Sequence, residues 1–286
     1  MTPMLEIQSA CKKFSKGTPN EHTALDQLNL TLAQGDFVTV LGSNGAGKST
    51  MFNAVCGNFL LDSGKILLDG KDITFEPEYR RALSIGRLFQ DPMKGTAPSL
   101  TIEENLALAY SKQKKRSLAF ALTRKDRDYF KTELEKFSMD LENRMKTKVG
   151  LLSGGQRQVV TLLMSTLVPP KLLLLDEHTA ALDPATAEKV MEITNRIVKE
   201  NKITTMMITH NMKQALETGN RTIMLDSGSV MFDIDARQRE ELSVERLVEM
   251  YSEKKKEEFD TLIRLGETVW TYVCCGPEGH WLNRFL

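Results

Sequence analysis

No apolar run in the sequence approaches the roughly 20 residues that a helix needs to cross a bilayer; the longest compact ones, such as Leu172–Leu175, suit buried strands. Neither sign of charge is in excess. Lys plus Arg total 38 and Asp plus Glu total 38, so no overall field draws the chain to nucleic acid or to an anionic membrane, and any partner must be recognised locally. Cysteine is scarce: the 4 present, Cys11, Cys56, Cys274 and Cys275, show neither C-x-x-C spacing nor a disulfide framework, which fits a reducing compartment. The start, Met1 to Ala10, carries Glu6 and Gln8 and lacks the basic-then-apolar order of a signal peptide. These absences lead to the expectation of a cytosolic protein. Internal repeats and low-complexity tracts are missing too. At 41% hydrophobic and 27% charged, the 286 residues have the composition to bury a large core in one or two domains.

The first third alternates short apolar runs with turn residues. Leu5–Ser9, Leu28–Leu32, Phe37–Leu41 and Lys65–Leu68 read as strands, with a helix opening at Lys48. Phe37–Leu41 lacks alternation and so suits a strand buried on both faces of a parallel sheet. From about Asp91 to Val168 the pattern turns helical, beginning with the capping box Thr101-Ile102-Glu103-Glu104. Within it, Lys112 to Asp128 is crowded with basic residues, which read as a solvated face before a nucleic-acid patch. Strands resume at Leu172–Leu175 and Ile203–Thr209, separated by a helix that Asp183-Pro184 starts and that presents Val190, Ile193 and Ile197 on one face. Thr222 to Ile234, broken at Asp226-Ser227-Gly228, predicts a hairpin, and Val244 to Tyr251 a last short helix.

Three segments carry chemistry. Gly42-Ser43-Asn44-Gly45-Ala46-Gly47-Lys48-Ser49, with Thr50 beside it, has the spacing G-x-x-x-x-G-K-[ST] between an apolar strand and a helical run. Glycines there let the backbone wrap so that N–H groups face phosphate oxygens, while the helix N-terminus adds partial positive charge. Lys48 would reach the β- and γ-phosphates and the Ser49 hydroxyl would ligate Mg²⁺. Next, Leu172–Leu175 runs straight into Asp176-Glu177, placing two carboxylates at the carboxyl edge of a sheet, where ligands bind in open α/β folds. Asp176 suits Mg²⁺ and Glu177 a general base, a role worth roughly 10² to 10⁴ in rate. Last, Leu152-Ser153-Gly154-Gly155-Gln156 is a second N–H-rich turn opening a helix. One chain thus holds two phosphate-seeking turns.

In order and spacing, the phosphate loop, Gln90, Leu152 to Gln156, Asp176-Glu177, Leu182-Asp183 and His210 resemble the ATP-binding cassette (ABC transporter) ATPases over about Met4 to Tyr251. The resemblance implies an α/β fold: a P-loop NTPase core with a mixed sheet flanked by helices, an N-terminal antiparallel β subdomain, and an inserted helical subdomain. It implies a single ATPase domain over 1–259, with the core lobe at about 1–90 and 169–259 and the helical lobe at about 91–168, followed by an extension over 260–286. The cofactors implied are ATP and Mg²⁺. Two such subunits pair head to tail, a homodimer here, so that Ser153, Gly154, Gly155 and Gln156 of one copy would contact ATP held by the other's phosphate loop. Gln90 would sense the γ-phosphate and Mg²⁺, with Ser49 and Asp176 as the other metal ligands. His210 would bind the γ-phosphate and help orient water, and Asp183 would communicate across the dimer. Phe14 is the candidate for stacking on adenine, its alternative being a core phenylalanine of the first sheet.

His178 stands where the family usually has proline, which is expected to loosen that turn. Arg87 to Thr101 lies where family members meet a membrane subunit. With one motif set and no fused membrane helices, the chain looks like a bacterial importer ATPase, most like those beside branched-chain or aromatic amino-acid permeases. The implied partners are integral membrane permease subunits and, indirectly, a substrate-binding protein, without nucleic acid; the implied place is the inner face of the cell membrane. Two other classes compete. Soluble ABC proteins of ribosomes or DNA repair carry two motif sets or a long coiled coil, and a non-hydrolysing module would not need Glu177 and His210. The tail, with Trp270, Tyr272 and Trp281, reads either as a protein or membrane contact or as a dispensable extension.

Overall fold

A computed structural model describes residues 2–111 and 122–264. Strands β1 (Leu5–Phe14), β2 (His22–Leu32), β4 (Ser63–Leu68) and β5 (Lys71–Asp72) form an antiparallel sheet in the order β2-β1-β4-β5. A second, mixed sheet has the order β10-β9-β3-β8-β7-β6, from β3 (Phe37–Leu41), β6 (Ile85–Leu88), β7 (Leu172–Asp176), β8 (Thr204–Ile208), β9 (Arg221–Asp226) and β10 (Ser229–Ile234). In it β9, β3, β8, β7 and β6 are mutually parallel and only β10 runs against its neighbour, as the expected hairpin.

The runs without alternation are explained by burial on both faces. Leu172 and Leu174 of β7 join one apolar cluster and Leu173 and Leu175 the other; β8 divides Met206 and Ile208 from Met207 in the same way. The first cluster also takes Leu5, Ile7, Leu28 and Leu30 from the antiparallel sheet. Helix α1 (Lys48–Cys56) contributes Met51, Phe52 and Val55 to that cluster, so it lies between the sheets. At its far end, α2 (Glu78–Arg81) supplies Arg81, only 2% exposed, whose guanidinium donates to the Ala54 and Val55 carbonyls at 2.7 and 3.0 Å.

The second cluster joins the other face of the sheet to helices α3 (Ile102–Tyr110), α4 (Arg124–Glu135), α5 (Gly154–Thr166) and α6 (Pro184–Asn201). Thr101 opens α3 with the expected capping box, and Asp183 caps α6 by accepting from the Thr186 amide at 3.1 Å, with Pro184 in the first turn. Val190 and Ile193 are buried and Ile197 packs at the edge, the anticipated face. Helices α7 (Met212–Glu217), α8 (Ala236–Glu240) and α9 (Val244–Arg264) complete the chain.

The short elements β5, α2, α7 and α8 are not predicted by the sequence, and two further differences bear on the site and the C-terminal helix. β6 was not expected: its four residues, Ile-Gly-Arg-Leu, carry no alternation, and it is the pairing with β7 that makes them a strand. α9 continues far past Tyr251, carried by charged pairs three apart such as Arg246–Glu249 and Lys254–Glu257. Among the described residues no helix is long and apolar enough to cross a membrane. Most of the basic stretch from Lys112, as well as Cys274, Cys275, Trp270, Tyr272 and Trp281, lies outside the described residues.

His178 does not loosen its turn. It is buried at 2% exposure against α6, its Nε2 3.4 Å from Thr194 Oγ1, and Thr194 in turn donates to the Val190 carbonyl at 2.7 Å. With the Thr194 proton committed, the imidazole must be the donor, so the Nε2–H tautomer is fixed. Burial pushes this imidazole from 6.5 down to about 4. In the unfolded chain it takes a proton below about pH 6.5, so its contribution to stability is complete above that value and is lost as pH falls toward 4. Between pH 7 and pH 5 this group alone is expected to cost roughly 2 kcal/mol of stability. Urea denaturation of the wild type and of His178→Leu at the two pH values checks this; an equally steep pH dependence in the variant would rule it out.

Candidate functional site

Parallel register delivers the candidate residues to one place. β3, β6, β7 and β8 run the same way, so the loop after Leu41, Gln90 beyond β6, Asp176-Glu177 at the end of β7 and His210 beyond β8 all collect at the carboxyl edge of the sheet.

The loop Gly42–Ser49 is held open by its glycines. Gly42, Gly45 and Gly47 have φ of 145°, 87° and 98°, a region other residues adopt only with strain. At two of them side chains are also barred by neighbours: a Cβ would come within 2.4 Å of the Leu225 carbonyl at Gly42 and 2.5 Å of the Ala24 carbonyl at Gly47. The turn after β9 braces the loop, the Gly228 amide donating to the Ala46 carbonyl at 3.1 Å. α1 begins at Lys48 with no side-chain cap and no acidic residue in its first turn, leaving its amide end to an anion. Lys48 is buried, and its Nζ donates to the Gly42 and Ser43 carbonyls at 2.7 and 3.0 Å. Burial lowers its pKa, while the charges of Glu177 and Asp176 push it back up. Asn44, Gly45 and Ser49 are exposed on the rim, with Ser43 and Thr50 partly so and Ala46 buried.

The three residues read as catalytic meet around one carboxylate. Glu177 Oε1 lies 2.6 Å from His210 Nε2, and its Oε2 accepts from Gln90 Nε2 at 3.2 Å. The Glu177 backbone sits at φ 46°, and its amide donates to the Ile208 carbonyl at 3.1 Å. This turns the carboxylate off the strand line toward the neighbouring loops. Asp176, one residue earlier, accepts from Arg87 Nη2 at 3.2 Å. The other arm of Arg87 donates to Asn53 Oδ1 of α1 at 2.7 Å, and its guanidinium lies 4.6 Å from the Phe89 ring centre. Arg87 and Asn53 escape a reading of the sequence, because their partners lie far along the chain; an arginine inside so short an apolar strand is the one signal that could have pointed to them.

Among the described residues no group of three His, Cys, Asp or Glu clusters to hold a metal unaided. Ser49, Asp176 and Gln90 supply oxygen donors of the hard kind that Mg²⁺ takes together with substrate phosphates and water. The residue set fits that ion.

The second turn is on the helical side. Ser153 caps α5 in a full capping box: its Oγ accepts from the Gln156 amide at 3.3 Å, and its own amide donates to Gln156 Oε1 at 3.2 Å. Ser153 and Gly154 are exposed, whereas Gly155 is buried, and a Cβ there would come 2.2 Å from Thr186 Cγ2 of α6. Gly155 lets α5 pass close to Thr186 of α6, and any larger residue there would have to turn that threonine aside. Asp183, in the first instance, caps α6. Phe14 is not a core residue: partly exposed at the end of β1, it stacks on His22 at 5.7 Å, meets Phe59 edge-on at 5.4 Å, and has Lys12 Nζ 5.6 Å above its ring.

Residues 25–180 match the pattern that defines the ABC transporter domain. The chain is 45% identical over 248 residues to a tyrosine transport ATP-binding protein of Clostridioides difficile, a match covering 87% of this chain and 98% of that one. It is 33% identical to the xylose/arabinose import ATP-binding protein XylG of Sulfolobus acidocaldarius, over 87% of this chain and 94% of the relative. In fold it matches the ATP-binding cassette MJ0796, solved as a dimer in a post-hydrolysis state bound to ADP and Pi, with a TM-score of 0.69 and 28% identity over 82% of this chain and 99% of that one.

Gly47→Ala introduces a contact of 2.5 Å with backbone that cannot yield. It is expected to cut ATP affinity at least about tenfold, since the loop cannot hold its left-handed turn. Calorimetric titration checks this, and wild-type affinity would refute the geometric reading.

Proposed function

Because this chain belongs to the ABC transporter family and is an ATP-hydrolysing subunit of the kind that drives import systems, we propose that it energises uptake of amino acids, with tyrosine and other aromatic ones foremost, through a separate membrane permease. The observation that carries the hydrolytic part is the Glu177 carboxylate held between His210 and Gln90 at the edge where the phosphate loop opens.

In this reading Lys48 and the amides of Gly42 to Ser49 hold the β- and γ-phosphates, and Phe14 lies against the adenine. Glu177 takes the proton of the attacking water, and His210 fixes the direction of the Glu177 carboxylate while contacting the γ-phosphate. Ser49, Asp176 and Gln90 would hold Mg²⁺, which would neutralise charge on the phosphates. Two phosphate-seeking turns in one chain support a head-to-tail dimer. Ser153 and Gly154, exposed in the single chain, together with Gln156 close over ATP on the other copy's loop, and Asp183 faces the same seam. MJ0796, a dimer, supports the arrangement.

The core lobe over about 1–90 and 169–259 carries the ATP site, and the helical lobe over about 91–168, together with the stretch of the core lobe just before β6, meets the permease at the inner face of the membrane. Apolar side chains support a docking surface around β6: Phe75, Tyr79 and Leu83 are 79, 68 and 62% exposed before it, and Met93 is 38% exposed after it. The segment from Ala97 to Thr101 is held by Asn105, fully buried, whose side chain bonds the Ala97 amide and the Ala97 and Thr101 carbonyls. The amino-acid preference rests on the tyrosine transport relative.

Glu177→Gln is expected to keep ATP binding, accumulate an ATP-bound dimer on size exclusion and lose turnover by at least about 10²-fold; hydrolysis at the wild-type rate would remove Glu177 from its role. Tyr79→Glu combined with Phe75→Ser is expected to abolish recovery of a polytopic permease from detergent-solubilised membranes while ATP affinity stays unchanged. Undiminished recovery would move the docking surface elsewhere.

A further inference from the structure

The phosphate loop has a brace that none of the motif residues supplies. The turn after β9 touches the loop at several points: the Gly228 amide donates to the Ala46 carbonyl, Gly228 Cα lies 3.2 Å from the Cβ position of Gly47, and the Leu225 carbonyl lies 2.4 Å from that of Gly42. Asp226 sits inside this turn, 6% exposed. A buried carboxylate so close to a loop built for anions is an electrostatic liability unless neutralised.

The neutralising charge comes from α9. Lys255 pairs with Asp226 Oδ2, Ser227 Oγ donates to the same oxygen at 2.7 Å, and Tyr251 Oη donates to Oδ1 at 3.3 Å. Tyr251 and Lys255 are four residues apart, so α9 presents both to one carboxylate. Tyr251 also lines a hollow with Gly42, Ser43 and His210. Leu247, one turn earlier and fully buried, packs in a cluster with Leu41, Met224 and Ala215, which anchors the helix.

We infer that Tyr251 and Lys255 are positioning residues for nucleotide binding: Lys255 cancels the charge of Asp226, Tyr251 hydrogen-bonds its other oxygen, and together they hold the turn that braces the phosphate loop. The inference rests on the ATP site described above. Its consequence is that residues of α9 set the affinity of the site without touching the nucleotide.

The test is calorimetric titration of the full chain and its variants with the slowly hydrolysed analogue ATPγS. Lys255→Gln leaves a buried negative charge in the turn that braces the phosphate loop and is expected to weaken binding about tenfold, less at high salt. Asp226→Asn leaves a positive charge there and is expected to bind as tightly as the wild type or a few-fold tighter. Removing both charges in Lys255→Gln with Asp226→Asn is expected to return affinity to within about twofold of the wild type. A merely structural role for α9 would weaken binding in both single variants and leave the double variant weak, and that result would overturn the inference. So would an unchanged Lys255→Gln. Failure of the wild type itself to bind ATPγS would instead count against the ATP site.

Discussion

The structure depends on the register of five parallel strands, because register decides which loops share an edge. Apolar patterning cannot set it in β7: a run of four leucines fits either face of the sheet, so a slip by one residue would cost little burial. Polar contacts at the strand ends distinguish the correct alignment. Glu177 donates from its backbone to Ile208, and Asp176 reaches Arg87 of the neighbouring strand. A shift of one position would aim one acid into the apolar cluster and leave the guanidinium buried without its partner, which is costly. The leucines supply cohesion, and the acids that follow them supply alignment.

The same edge holds its charged groups close, each in a defined pairing. Lys48 is turned onto the carbonyls of its own loop, Arg87 bridges α1 to the end of β7, and Glu177 is occupied by His210 and Gln90. Each ionic group already has partners of fixed direction, and in the proposed site that fixed orientation limits the reorganisation on arrival of phosphate charge to Lys48, which must turn from its loop carbonyls; such preset orientation is where much of the catalytic benefit of such sites arises.

Much of this was legible in the sequence wherever one short segment carries the whole instruction. The phosphate loop declares its glycines and lysine by spacing, the unbroken Phe37–Leu41 declares a strand buried on both faces, the capping box at Thr101 is read from residues three apart, and the start of α6 is read from Asp183-Pro184. What stayed hidden is set by partners distant in the chain. Arg87 meets Asp176 across 89 positions, Lys255 meets Asp226 across 29, and β6 exists as a strand through its pairing with β7. His178 shows the same limit from the other side. In sequence it is only the lack of a proline; in the fold it is a buried donor to Thr194, because α6 passes over it.

Arg81 places a buried cation on the last carbonyls of α1, the end of that helix farthest from the phosphate loop. A nine-residue helix is about 13 Å long, so its negative pole is near enough to oppose the pull of its positive pole on an incoming anion. Masking that pole turns a two-ended dipole into something closer to a single positive terminus aimed at the loop. Through Arg81, α2 therefore does more than shelter α1 from water: it shapes the field at the loop proposed to hold the phosphates.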